Sequence, residues 1–206
     1  LAIEKSQGKY LAFLDVDDYW DSTKIEKQID IFSKNSKVAI VYSNYFFKNE
    51  IKNSLKKANK NKLPEGMVLD QMLKKFNMAL LTVVINRDII EEKEIFDPSL
   101  HFVGDLDMTL KITSKYMVSC IQEPLATYRW HGHNESILKQ ELQIKELEQW
   151  SKRIMFFTEI ANKKGFKKIL NDIQYLKAMF CLQNGELSSA FKYLFKLDFG
   201  KEQFKL

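Results

Sequence analysis

The sequence predicts an α/β fold, a mixed sheet flanked by helices and followed by a helical appendage. Three observations carry this. Short apolar or β-branched runs alternate with helix-like segments over residues 1–136. The acidic cluster Asp15-Val16-Asp17-Asp18 directly follows the apolar run Tyr10-Leu11-Ala12-Phe13-Leu14, at the carboxyl end of a strand, where open α/β sheets bind ligands. From about residue 136 onward Glu, Lys, Gln and Leu dominate at helical spacing. The expected division is a core over 1–136 and a helical region over 137–206.

The elements follow in order. Leu1 to Gln7 reads as a helix end, stopped by Gly8. Tyr10 to Leu14 reads as a strand buried on both faces. Thr23 with Glu26 makes a capping box, and the helix it opens buries Ile25, Ile29 and Phe32. Val38 to Phe47 is strand. Lys48 to Lys62, rich in Lys and Asn without a period, is an exposed loop. Met67 to Phe76 is helix, with Leu69, Met72, Leu73 and Phe76 inward. Leu80 to Ile85 is strand, and Arg87 to Glu92 a short helix. Asp105 to Tyr116 is helix, with Leu106, Leu110 and Thr113 inward. Met117 to Ile121 and Leu125 to Trp130 are two strands parted by a turn at Glu123-Pro124. Helices then run over about 136–163, 166–183 and 186–197, broken at Gly165 and Gly185. The pair around Gly185 looks like one helical-repeat unit.

Composition narrows the class. The chain is 45% hydrophobic and 29% charged, as globular proteins are. Its net charge of +5 suits anionic partners such as phosphates and lipid headgroups, and equally a lysine-rich solvated surface. The two cysteines, Cys120 and Cys181, sit in apolar stretches without CxxC spacing and are expected reduced and buried. No apolar run is long enough to span a bilayer as a helix, and no signal peptide is visible.

Three constellations carry candidate chemistry. In Phe13-Leu14-Asp15-Val16-Asp17-Asp18-Tyr19-Trp20, three carboxylates crowd together, which is unfavourable unless a cation or water compensates. Hard oxygen donors of this kind suit Mg²⁺ or Mn²⁺, which take one or two carboxylates and fill the rest with phosphate oxygens and water. The competing reading, an acidic helix start favoured by the macrodipole, is weakened by the placement after a strand. In Val103-Gly104-Asp105-Leu106-Asp107-Met108, the acids are spaced i, i+2 and face different directions on a helix. Asp105 is placed either to project into a cleft as a general base or to cap the helix; Asp107 caps or pairs locally. In Tyr128-Arg129-Trp130-His131-Gly132-His133-Asn134-Glu135-Ser136, Arg129 and His131 share one strand face. There the guanidinium suits a diphosphate and the imidazole a metal or phosphate. The plainer reading is a polar strand-to-helix loop capped by Asn134 or Ser136. A zinc site is disfavoured, since no HxxxH or Cys partner completes it.

Taken in order, these segments resemble the family 2 glycosyltransferases. The apolar strand, DxDD, the aromatic pair and Lys24-Ile25-Glu26-Lys27-Gln28 are similar to the family's central segment. Gly104 to Lys111 is similar to its acidic pair opening a helix, with Gly104 where the family usually has Glu and Lys111 where it has Arg. Pro124-Leu125-Ala126-Thr127-Tyr128-Arg129-Trp130-His131-Gly132-His133-Asn134-Glu135-Ser136 resembles the segment that closes its core. The resemblance covers residues 1 to about 136. It implies a Rossmann-like GT-A fold, here N-terminally incomplete, because the strand–helix–strand segment that holds the nucleotide base in the family has no counterpart in the sequence.

The resemblance also implies a reaction: inverting transfer of a sugar from a nucleotide-sugar donor to a glycan or lipid-linked acceptor. Asp105 is then the base. Asp17 and His131 hold Mn²⁺ or Mg²⁺, and Asp15, Asp18, Arg129 and Trp130 bind the nucleotide sugar. For Trp20 and Trp130, core packing competes with stacking on the ligand. The implied setting is surface polysaccharide biosynthesis at the cytoplasmic face of a membrane, with a peripheral membrane contact and no nucleic acid partner. Two rivals remain open. A metal-dependent nucleotidyl- or phosphotransferase would use the same carboxylates, although no Gly-rich phosphate loop is present. A non-catalytic remnant would serve as an interaction module, with an apolar sheet edge open to pairing.

Overall fold

The structure, a computed structural model, describes residues 2–90 and 95–197. Its frame is a six-stranded mixed sheet ordered β1-β5-β3-β6-β2, with β4 beside the outer half of β3. The strands are β1 (Tyr10–Ala12), β2 (Tyr19–Trp20), β3 (Val38–Asn49), β4 (Ser54–Lys57), β5 (Val84–Asn86) and β6 (Met117–Trp130). β3 and β6 run parallel from Val38↔Met117 to Asn49↔Trp130; the other pairs are antiparallel. β3 is central because Val38 to Tyr42 is a continuous apolar run, buried on both faces.

Helices cover the sheet: α1 (Ala2–Lys5), α2 (Lys24–Lys34), α3 (Leu69–Lys74), α4 (Gly104–Lys115), α5 (Glu135–Leu138), α6 (Gln140–Ile154), α7 (Thr158–Ala161), α8 (Lys164–Gln183) and α9 (Leu187–Leu194). The main core joins Ile40, Tyr42 and Ile85 of the sheet to Met72 and Leu73 of α3 and Met108 and Leu110 of α4. Trp150, Ile154, Ile160 and Phe166 of α6 to α8 belong to the same cluster. A smaller cluster of Phe32, Val38, Val41 and Val84 lies under α2.

The sheet departs from expectation at places with local causes. β1 is an edge strand of three residues, with Leu11 buried and Ala12 exposed, so it is not buried on both faces. β6 is one strand rather than two. A register shift opposite Ser43 and Asn44 bulges it at Pro124, where the missing N–H is not needed. Lys48 to Lys62 is not a loop throughout: β3 and β4 form a hairpin turning at Asn53, whose φ is 44°. Beyond it the buried Asn44 amide holds the Asn59 backbone from both sides, at 2.7 and 3.1 Å. Leu80 to Ile85 divides into a 3-10 turn (Leu80–Thr82) and β5.

The helices shift as well. No capping box forms at Thr23; the Asp21 carboxylate takes both its N–H and its hydroxyl. α2 is rotated, so that Lys24, Gln28 and Phe32 are buried and Ile25 faces out. Gln28 Nε2 explains this by donating to Val41 O and Thr82 O, each at 2.8 Å. α3 stops at Lys74, leaving Phe76 outside it and exposed. Arg87 to Ile90 form a turn and bend, and the remainder of the helix expected to Glu92 lies outside the described residues. The long helix expected over 136–163 is α5, α6 and α7. Gly165 lies within α8 rather than ending a helix, because a Cβ there would come 2.7 Å from the Leu73 Cβ where α8 crosses α3. Gly185, with φ 76°, does follow the end of α8.

Candidate active site

β2 pairs antiparallel with β6 at Tyr19↔Thr127 and Trp20↔Ala126, which lays the acidic loop between β1 and β2 along the end of β6. Asp18 Oδ1 accepts the Arg129 backbone N–H at 2.9 Å, leaving the residue 6% exposed. Burial pushes its carboxyl up to about 6, with the charges of Asp17 and Asp15 adding to the shift and the Arg129 amide opposing it. The Arg129 guanidinium is held on three sides. Nε donates to Glu50 Oε1 at 2.7 Å, Nη1 donates to Asp17 O at 3.0 Å, and the group lies 5.1 Å from the Tyr19 ring centre. Glu50, at the hairpin tip, was not legible as a site residue.

Asp17 meets His131, with Oδ2 and Nε2 2.9 Å apart. That bond holds the Asp17 carboxyl below its ordinary value. The His133 backbone N–H donates to His131 Nδ1 at 3.3 Å, so on a neutral ring the proton sits on Nε2, facing Asp17. Asn134 braces the loop. Its Oδ1 accepts the His131 N–H at 3.0 Å, and its Nδ2 donates to Arg129 O at 2.9 Å. Its side chain therefore ties strand to loop and forms no cap on α5.

Asp105 stands in the first turn of α4, half-buried. Val103, not Asp105, holds the capping position, and the Asp105 Oδ1 accepts the Leu106 N–H of the same turn at 2.7 Å. Burial raises its carboxyl above the ordinary value, and the charge of Asp15 adds to this, so Asp105 and the acidic loop share one electrostatic neighbourhood. Asp107 turns the other way, into the core, where it accepts Trp150 Nε1–H at 2.9 Å and Lys111 Nζ at 2.6 Å. His101 Nε2 meets Glu135 Oε2 at 2.9 Å, joining the loop before α4 to α5.

The two candidate tryptophans differ. Trp20 is turned inward: Nε1 donates to Leu81 O at 2.8 Å, and Lys24 Nζ lies 4.2 Å from its ring centre. Trp130 ends β6 opposite Asn49, and its carbonyl accepts the Glu50 N–H at 2.9 Å.

Among the described residues no three His, Cys, Asp or Glu side chains converge as a metal cage. The Asp17–His131 pair offers one carboxylate and one imidazole. That donor set fits a divalent ion completing its shell with phosphate oxygens and water.

The geometry can be set beside known proteins. The model of a family described as "Glycosyltransferase like family 2" matches residues 1–186, past the point where the motif resemblance ends. A Bacillus subtilis glycosyltransferase named for teichuronic acid biosynthesis is 33% identical over 129 residues, 62% of this chain and 49% of that protein. An Escherichia coli enzyme named UDP-Glc:alpha-D-GlcNAc-diphosphoundecaprenol beta-1,3-glucosyltransferase is 34% identical over 89 residues, 43% of this chain and 33% of its own length. An uncharacterized glycosyltransferase of Methanocaldococcus jannaschii is 26% identical over 183 residues, 87% of this chain and 59% of that protein. The chain thus spans about half or less of the length of the first two.

Proposed function

The chain belongs to the glycosyltransferase-like family 2, and on that premise we propose that its residues serve the transfer of a sugar, with inversion, from a nucleoside-diphosphate sugar to an acceptor hydroxyl. The observation carrying this reading is the convergence of Asp17 with His131 and of Asp18 with Arg129, residues 114 and 111 apart in sequence. Asp105 is assigned to the same site on the ground that the charge of Asp15 adds to the upward shift of its carboxyl.

The roles follow from chemistry. The acceptor oxygen forms a bond to the anomeric carbon as the bond from that carbon to the diphosphate oxygen breaks. Asp105 takes the acceptor proton, and a carboxyl raised by burial is the better base near neutral pH. Arg129, fixed by Glu50, Asp17 O and Tyr19, presents its remaining N–H groups to the departing phosphate without reorganising. Asp15, Asp18 and Trp130 are assigned to orienting the nucleotide sugar. Asp17 and His131 would hold Mn²⁺ or Mg²⁺, and a bound ion would supply charge neutralisation at the leaving diphosphate.

A lipid-linked diphosphate acceptor and a role in surface polysaccharide assembly are carried over from the names of the relatives. Work at an anionic membrane face fits the net charge of +5; among the described residues no helix is long and apolar enough to cross a membrane.

The test is release of nucleoside diphosphate from UDP- and GDP-sugars with Mn²⁺, comparing the chain with Asp105→Asn. Loss of a base lowers turnover on the order of 100-fold or more while UDP binding stays unchanged. Turnover that survives the substitution would remove Asp105 from the mechanism.

A further inference from the structure

α4 starts without a cap from its own segment. Val103 occupies the capping position and makes no side-chain cap bond, while within the first turn Asp105 Oδ1 accepts the Leu106 N–H at 2.7 Å. The acceptor for the amides that lead into the helix comes from α6. Glu146 Oε1 accepts the backbone N–H groups of Phe102 at 2.7 Å and Val103 at 2.9 Å, and both Glu146 oxygens lie 3.0 Å from the His101 N. One helical turn further along α6, Trp150 Nε1 donates to Asp107 Oδ1. Glu146 and Trp150 are four residues apart and so lie on one face of α6. That face grips the start of α4 at two points, on either side of Asp105 in sequence.

We propose that Glu146 is a positioning residue for Asp105, supplying from α6 the carboxylate that holds the amides leading into α4 and so fixing the turn on which the base stands. The role rests on Asp105 being the base. Its physical ground is the set of N–H groups left open at every helix start, which a carboxylate satisfies best because it also meets the positive end of the helix dipole. A base must hold its place to within a fraction of an ångström for the proton to transfer, and Gly104 has no side chain to hold it from within. The other charged groups nearby are Asp15 from the acidic loop, Asp107 paired with Lys111 on α4, and the His101–Glu135 pair. Among the described residues, none of these bonds the amides that Glu146 holds.

Two donor-free readouts test this, so a chain that transfers no sugar still gives an answer: hydrogen exchange over residues 101–106, and the Asp105 carboxyl titration followed by ¹³C NMR, assigned with Asp105→Asn. In Glu146→Ala the turn opens to water. The amides of 101–103 should exchange about tenfold faster, and the raised Asp105 titration should fall back toward its ordinary value of 3.8. Glu146→Leu keeps the packing of the stem without an acceptor and should behave alike, which covers the case of an Ala variant that fails to fold. Glu146→Gln retains an oxygen for Phe102 and Val103 and should restore both protection and titration. A folded Ala or Leu variant whose Asp105 titrates as in the parent, however much its melting temperature drops, would overturn the proposal.

Discussion

Lys24 is fully buried, its Nζ without a hydrogen-bond partner and facing the Trp20 ring. Burial alone pulls its ammonium down to about 7. The folded state therefore resists protonation that the unfolded chain accepts below 10.5, and stability rises with pH between those values. Lys24→Met fills the same space without the charge. It should stabilise the protein by on the order of 3 kcal/mol at pH 6, and urea melts at pH 9 should show the advantage shrinking; an equal gain at both values would contradict the charge argument. Legibility at this scale was uneven. Asp17, Asp18, Arg129 and His131 stand out in the sequence because reactive side chains crowd within a few residues. Glu50 and Glu146 do not, because each sits in ordinary charged sequence and meets its partners 79 and 43 to 45 residues away.

At the scale of elements, α2 shows why periodicity can mark a helix and still misplace its face. Ile25 and Ile29 argue for one stripe, but Gln28 has two backbone carbonyls to satisfy across the sheet, and those bonds turn Lys24, Gln28 and Phe32 inward. The same limit hid the role of Gly165. A glycine between two helical patterns reads as a break, whereas here it is the point of closest approach between α8 and α3. Gly165→Ala tests this with opposing terms. Alanine favours helix by at most about 1 kcal/mol, but its Cβ would meet the Leu73 Cβ at 2.7 Å and Leu73 and Lys74 backbone atoms at 3.3 Å, and overpacking of that kind costs about 1–3 kcal/mol. The clash should win, lowering the thermal midpoint; a higher midpoint would show that α8 can slide. Pro124 was legible as a turn residue, but not as a bulge inside β6, because the bulge is fixed by the register with β3.

At the scale of the molecule, the sheet and the helices beyond residue 136 close one core. Trp150, Ile154, Ile160 and Phe166 are each 3% exposed or less and pack with the sheet residues. α9 has Ala190 as its buried residue and packs on α8. Ending the chain after Gly185 should therefore leave a cooperative thermal transition. Ending it after residue 157 removes Ile160 and Phe166, each a loss of about 2–5 kcal/mol, and should abolish that transition in circular dichroism melts. The helical character of this region was plain from composition, but its place in the core was not, since that depends on contacts far apart in sequence. Asp17 and His131, as proposed, form the metal-dependent half of a nucleotide-sugar site. This assignment is tested most directly by calorimetry of UDP and GDP with Mn²⁺ on the chain and on Asp17→Ala. Mn²⁺-dependent binding of a nucleoside diphosphate, lost in the variant, is the expected result. Binding by the folded chain that is indifferent to Mn²⁺ and to Asp17 would contradict the assignment.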